Sequence, residues 1–292
     1  MKGKVENVSD TAFLVARFRA IESERPDALF RDPLADVVSG ERGRAIVDRL
    51  GRRAGVGCWS IAVRTVIIDD YLRAEIAAGA DTVLSLGAGL DTRPYRLGLP
   101  AALRWIEVDY PHVIELKESR LAGERASCAI ERVKLDLADV PARRRLFADV
   151  AGRSKRLVVL TEGVVPYLGV DDVGALADDL CTLAPARAWI VDYFSPKVLR
   201  YRRRVSRQFA NAPFKFQPSD WLGFFAAHGW RPRERRFLAV EGARRGRRVP
   251  LPLPVRLFIR LRRALVRGRR DGLEHFAGYF LMEPTGETRT AP

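Results

Sequence analysis

Acidic side chains recur at the carboxyl ends of short apolar runs in this sequence, and these acids are the residues best placed to do chemistry. Glu107 and Asp109 close RWIEVD, Asp136 closes VKLD, Glu162 closes VVLTE and Asp192 closes WIVD. Asp109, Asp136, Glu162 and Asp192 are 27, 26 and 30 residues apart. If each run is a strand of one parallel sheet, these acids open into a single crevice, where open α/β sheets take their ligands. One such Asp is explained by turn chemistry alone; four in register point to a shared cleft. Glu107 alternates with Asp109 along its run, so it faces either the cleft or a covering helix.

The loop after the first run, Gly87-Ala88-Gly89-Leu90-Asp91-Thr92-Arg93, selects among ligands. It has the first two glycines of a dinucleotide fingerprint, but Thr92 stands at the third, and a bare G-x-G is weak evidence. Asp109, twenty residues past Gly89, can accept both hydroxyls of an adenosine ribose. A dinucleotide would also lay two phosphate charges on the helix start, and Asp91 with the other acids opposes them. Acids suit instead a cationic sulfonium and an ammonium group; S-adenosylmethionine carries both and has no phosphate. Its one carboxylate needs a cation, for which Arg64 on the preceding helical run is the candidate. His112 and Tyr167 are the candidate catalytic groups, each with an ordinary packing role as the alternative. Arg93 and Arg96 could draw in an anionic substrate, and Tyr95 could assist. Three cysteines and three histidines show no metal-ligand spacing, so no metal is expected.

These residues need a scaffold. Residues 10–80 read as mostly helical, with Phe13, Leu14, Ala16 and Phe18 in a first helix and Val63, Ile67, Tyr71 and Leu72 in another over Ile61–Ile76. From residue 81, β-rich runs at Thr82–Leu86, Arg104–Val108, Ile130–Leu135, Arg156–Leu160 and Ala188–Val191 alternate with helical stretches. That rhythm predicts an α/β fold with a parallel sheet and helices on both faces. Arg236–Val240 and Phe276–Met282 can complete seven strands. One domain is expected: a helical N-terminal lid (1–80), a cofactor-binding core (81–240) and a basic amphipathic insertion (241–275).

Five segments, SIAVRTVIIDDYL, VLSLGAGLDTRPYRL, RWIEVDYP, VKLDLAD and LTEGVVPYL, resemble in order and spacing the motifs of the leucine carboxyl methyltransferase family. The likeness runs from about Ala12 to Phe194 and is faint beyond. It implies a class I Rossmann-like fold and S-adenosylmethionine-dependent O-methylation, as in the bacterial polyketide O-methyltransferases of that family. By resemblance, Arg64 grips the methionine carboxylate, Gly87 and Gly89 underlie the methionine portion, and Asp109 binds the ribose. Asp136 and Leu137 hold the adenine, Glu162 lies at the amino-acid end, and Tyr167 lies near the methyl. An N-terminal basic position falls on Arg17 or Arg19, of which Arg19 is taken as the cofactor residue.

Charge bears on partners more than on the reaction. The chain of 292 residues has 51 Lys+Arg against 36 Asp+Glu, a net charge of +15, yet eleven arginines and no acid fall between Arg244 and Arg270. Arg256, Arg260, Arg263 and Arg267 have helical spacing opposite Leu257, Phe258, Leu261 and Leu265, so this stretch could solvate a packed helix. It could equally meet anionic lipid or an acidic protein. Nucleic acid is disfavoured because aromatic residues are not interleaved for stacking. The segment MKGKVENVSD lacks a signal-peptide core and no apolar run reaches 18 residues, so a cytoplasmic enzyme is expected. The expectation is an O-methyltransferase acting on a small anionic or phenolic metabolite. The alternatives are a non-catalytic relative that binds an acidic partner, and an NAD-dependent oxidoreductase, which Asp91 and Thr92 disfavour.

Overall fold

The computed structural model describes residues 8–51, 54–195, 214–251 and 272–286. Seven strands form one sheet: β1 (Thr82–Leu86), β2 (Arg104–Asp109), β3 (Ala129–Lys134), β4 (Leu157–Thr161), β5 (Ala186–Phe194), β6 (Trp230–Phe237) and β7 (Ala277–Pro284). Their order is β3-β2-β1-β4-β5-β7-β6. The first five are parallel, and β7 runs antiparallel between β5 and β6. The expected α/β class I methyltransferase-type sheet is therefore present. The direction of winding reverses between β1 and β4, and at such a switch point the loops leave the sheet to opposite sides and open a crevice.

Period-2 alternation sends neighbouring strand residues to opposite faces, and both faces are covered. On one face Val83, Trp105, Val158, Leu160, Ala188, Ile190 and Leu281 pack on Val63, Ile67, Ile68, Tyr71 and Leu72 of helix α3 (Ala54–Ala77). The other face buries Leu84, Ile106, Val159, Trp189 and Val191 under α6 (Val140–Gly152), α7 (Val170–Cys181) and α8 (Trp221–Ala227). Asp139 caps α6 by accepting the Ala142 N–H at 3.0 Å, and Pro141 sits in its first turn, where its missing N–H is harmless. Helix α5 (Pro111–Arg120) follows β2, and the short α4 (Arg93–Arg96) follows the glycine loop.

Within the region expected to be a lid, α3 belongs to the sheet layer. Helix α1 (Val8–Ser23) lines the crevice through Thr11, Ala12, Val15 and Arg19, and α2 (Ala35–Leu50) packs on α1. Ala16, Val38, Leu90 and Leu121 pack together there, joining the two helices to the glycine loop.

One strand differs from expectation. Arg236–Val240 was the expected sixth strand, but β6 occupies Trp230–Phe237, and Leu238–Val240 begin a helix, α9 (Leu238–Arg244). The segment WRPRERRF lies at the sheet edge, where solvent takes one side. Arginines therefore stand where an inner strand would place apolar residues, and Pro232 is tolerated there. The apolar triplet after it fills the first turn of α9, whose Leu238 packs against α3.

The basic segment is described only at its start. Arg244 and Arg245 pair with Glu241, and Arg245 also with Asp70 at 2.5 Å. Arg247 reaches Glu22 at 3.0 Å and Asp27 at 3.2 Å, fastening this segment to the loop after α1. The amphipathic helix expected around Arg256–Arg267 lies outside the described residues. Among the described residues no helix is long and apolar enough to cross a membrane.

Candidate functional site

A cavity of about 420 Å³ opens at the carboxyl ends of β1 to β4 and beneath α1, within the usual size range of small-ligand sites. Arg19, Arg64, Gly87, Gly89, Asp109, Asp136, Leu137, Glu162 and Tyr167 all line it. The sheet alone brings Gly87, Gly89, Asp109, Asp136, Leu137 and Glu162 together, because β1, β2, β3 and β4 each release their chain at the same edge.

The floor is the glycine loop. Gly87 has φ +64° and Gly89 has φ +49°, a left-handed region costly for any residue with a Cβ. A Cβ on Gly87 would stand 2.4 Å from Cγ2 of Val164. The turn this permits aims the Gly89 N–H at Asp109, donating to Oδ2 at 2.7 Å, while the Tyr110 N–H donates to Oδ1 at 2.7 Å. Burial pushes the Asp109 carboxyl above its ordinary value, opposed by these two N–H groups. Each oxygen retains a lone pair able to accept from a ligand hydroxyl. Further along, Asp136 accepts the Ala138 N–H at 2.9 Å, and Val113, Leu135 and Leu137 give that end an apolar lining.

At the opposite end Glu162 is gripped by two arginines, Arg64 at 2.9 Å and Arg93 at 2.6 Å. Burial raises the energy of its charge, yet these guanidinium groups outweigh that and hold the carboxyl below its ordinary value. Behind the wall, the Tyr279 hydroxyl donates to Asp192 Oδ1 at 2.5 Å and the Gly163 N–H donates to Oδ2 at 2.9 Å. Asp192 does not line the cavity; it fixes the turn that carries Glu162. Burial pushes the Asp192 carboxyl up to about 6, opposed by the Tyr279 hydrogen bond and by Arg64.

Several sequence expectations are corrected by this geometry. His112 is exposed on the first turn of α5, its ring stacked on Tyr110 at 5.7 Å, and it is not among the cavity-lining residues. Proline at the helix start turns position 112 outward while Val113 faces inward. Arg93 and Arg96 do not attract an anion. They are buried and held by Asp69 at 2.7 Å each, and Arg93 also by Asp91 at 2.8 Å. A buried cation is stable only when paired, so its charge is already matched. Glu107 faces a helix and is buried against Lys117 at 2.7 Å and Arg132 at 3.0 Å. Tyr95 accepts from Arg132 at 2.7 Å, away from the cavity. Of the two N-terminal candidates, Arg19 lines the cavity and donates to Asp32 at 2.8 Å and the Leu90 carbonyl at 2.6 Å; Arg17 pairs with Glu24 and Asp36 instead.

Sequence reasoning passed over the arginine–carboxylate cluster that supports these walls. Arg93 follows the glycine loop in LDTR and Asp69 sits in the helical IIDDYL, but helical and strand periodicities say nothing about residues 24 positions apart. Asp32 was also missed: it accepts from the Thr92 hydroxyl at 2.7 Å as well as from Arg19, tying α1 to the glycine loop. Lys215, in a stretch with no motif, is a further lining residue.

With this geometry described, comparison with other proteins is informative. Residues 12–181 match the leucine carboxyl methyltransferase family. A protein of Streptomyces coelicolor assigned by its name to the S-adenosyl-L-methionine-dependent methyltransferases is 33% identical, the match covering 75% of this chain and 82% of that one. A Mycobacterium tuberculosis protein named in the same way is 33% identical over 90% of this chain and 92% of its own. Among solved structures, a DUF574-family protein from Streptomyces avermitilis superposes with a TM-score of 0.54 at 16% identity, covering 92% of this chain and 96% of that chain. At that identity the likeness concerns the fold.

Proposed function

The chain belongs to the leucine carboxyl methyltransferase family and is an S-adenosylmethionine-dependent methyltransferase, and we propose that it methylates an oxygen, the carboxylate or acidic hydroxyl of a small metabolite such as a polyketide-type product. The observation that carries the site assignment is Asp109. It stands at the end of β2, lines the cavity, and is pinned by the Gly89 N–H with lone pairs to spare.

The residues present fit the cofactor by the chemistry of their donor set. Asp109 takes the ribose hydroxyls, Asp136 the adenine amino group, and Val113, Leu135 and Leu137 the faces of the base. Arg64 meets the methionine carboxylate and Glu162 the ammonium group, while Arg19 holds the Leu90 carbonyl so that the glycine loop keeps its shape. Arg93, by holding both Asp91 and Glu162, fixes the two carboxylates in place so that Glu162 is preorganised to accept from the ammonium group.

When bound, the cofactor supplies an activated methyl that passes to the acceptor oxygen as the carbon–sulfur bond breaks and its electron pair stays on sulfur. The chain's task is to align the acceptor oxygen about 3–3.5 Å from that carbon and exclude water. A carboxylate is already ionised near neutral pH and needs no general base. Tyr167, on the turn after β4, lines the cavity and can orient an acceptor oxygen through its hydroxyl. The family name, with its carboxyl acceptor, supports oxygen as the methylated atom.

Isothermal titration with S-adenosylhomocysteine tests the assignment. Asp109→Ala should lose measurable binding while retaining the wild-type far-ultraviolet circular dichroism. Unchanged affinity would remove Asp109 from the site, and wild-type binding of NAD in place of S-adenosylhomocysteine would overturn the reading.

A further inference from the structure

An acidic cavity poses a problem for an anionic acceptor: Asp91, Asp109, Asp136, Glu162 and Asp172 all line it. Three cations share the lining, Arg19, Arg64 and Lys215. Arg19 is paired with Asp32, and Arg64 with Glu162 while it is also assigned to the methionine carboxylate. Lys215 differs, because its ammonium group has no ion pair or hydrogen bond among the described residues and the side chain is exposed to the cavity. Asp172, at the same end, uses a carboxylate oxygen to accept the Gly169 N–H at 3.2 Å and cap α7.

The placement of Lys215 is built into the fold. Its N–H and that of Phe216 both donate to the Pro166 carbonyl, at 2.8 and 3.2 Å, so residues 215 and 216 are held against the turn that carries Tyr167. Phe216 is buried against Phe224 and Phe225, with ring centroids 5.0 and 5.8 Å away. Phe214 packs edge-on to Tyr167 at 5.2 Å and on Phe194 at 5.0 Å. Phe214 and Phe216 are anchored by these contacts, and Lys215 between them lines the cavity, its backbone bound to the turn that carries Tyr167.

We propose that Lys215 is the specificity-determining residue for the acceptor, its ammonium group receiving the substrate carboxylate beside Tyr167 and so selecting carboxylic acids over neutral hydroxyl compounds. This rests on the functional reading above and narrows its acceptor to an anion. A cation here serves twice: it cancels the repulsion from the acidic walls, and as a flexible point charge it tolerates movement of the carboxylate during transfer. Lys215 lies beyond the matched family segment 12–181, so this selection belongs to the part of the chain where family likeness is weakest.

The test uses the full chain loaded with S-adenosylhomocysteine and titrated with benzoate, salicylate and octanoate, with benzamide as the neutral control. Lys215→Met should bind S-adenosylhomocysteine within about twofold of wild type but lose about tenfold or more in affinity for the carboxylates. Lys215→Arg should recover most of that loss, and benzamide should not distinguish the proteins. Equal carboxylate affinity in wild type and Lys215→Met would overturn the proposal, as would a loaded wild type that binds none of the three acids. Failure of wild type to bind S-adenosylhomocysteine, seen before any acid is added, would instead overturn the cofactor reading.

Discussion

Asp192 shows how a residue outside the cavity can govern one inside it. Its carboxylate holds the Gly163 N–H and the Tyr279 hydroxyl, and so fixes the turn between Glu162 and Tyr167. Burial lifts its carboxyl to about 6, from an unfolded value near 3.9. The folded state therefore binds the proton more tightly than the unfolded state. Its contribution to stability is fully present below about pH 4 and is lost as pH rises through about 6. Asp192→Asn does not titrate, so the melting temperature of this variant relative to wild type should rise between pH 5 and pH 8. Thermal melts at both pH values check this; a difference independent of pH would show that Asp192 titrates as an ordinary carboxyl. Asp109 and Glu162 were legible in the sequence because strand-end acids announce themselves by spacing. Asp192 was legible as an acid but not as a support, since its partner Tyr279 lies 87 residues away on an antiparallel strand.

At the scale of elements, the buried carboxylate of Asp32 ties α1 to the glycine loop. Asp32, between α1 and α2, accepts from Arg19 of α1 and from Thr92 at the end of the glycine loop, with Arg96 at 3.7 Å. The Leu90 carbonyl, which accepts from Arg19, completes the link. Asp32→Asn keeps an acceptor but removes the charge that matches Arg19. It should weaken S-adenosylhomocysteine binding about tenfold and speed hydrogen exchange in α1, with the sheet amides unchanged. Exchange equal to wild type across α1 would separate the lid from the glycine loop. Helices α1 and α3 were legible in the sequence as helices, α2 only as part of a mostly helical stretch, and their roles were not. Amphipathic spacing marks a buried face without saying what covers it, so α3, a sheet-layer helix, read the same as the two lid helices. The edge strand β6 was hidden for the converse reason, its exposed arginines masking the alternation.

Across the whole molecule, one sheet carries two hydrophobic layers, and the lid is bound to it by buried ion pairs and by apolar contacts. We therefore expect the chain to unfold as one unit. Phe225→Ala removes a ring from the layer under α8, and Ile67→Ala removes a side chain from the layer under α3. Costs of about 3–5 and 2–5 kcal/mol are expected respectively. Tryptophan fluorescence and circular dichroism should report the same single transition in each variant, and separate transitions would show that the two layers unfold independently. The net charge of +15 also takes on a different meaning at this scale. Arg93, Arg96, Arg19 and Arg64 neutralise buried acids, and Arg245 and Arg247 fasten segments to one another, so much of the described positive charge is internal to the fold.

The sequence by itself determined the strand rhythm, the row of acids at strand ends, the glycine loop and the family likeness. Each of these is written in local spacing or in motifs, and local spacing follows from the 2.0 and 3.6 residue periods of strands and helices. Tertiary structure decided which charges are matched: that Arg93 faces Asp69, Asp91 and Glu162, that Glu107 turns from the cavity toward Lys117, and that His112 is turned outward. It also decided that Lys215, alone among the cations of the cavity lining, has no ion pair or hydrogen bond from its side chain among the described residues. Those outcomes depend on which residues the fold brings within a few ångströms of one another across long stretches of chain, and a buried charge settles only where such a partner is present.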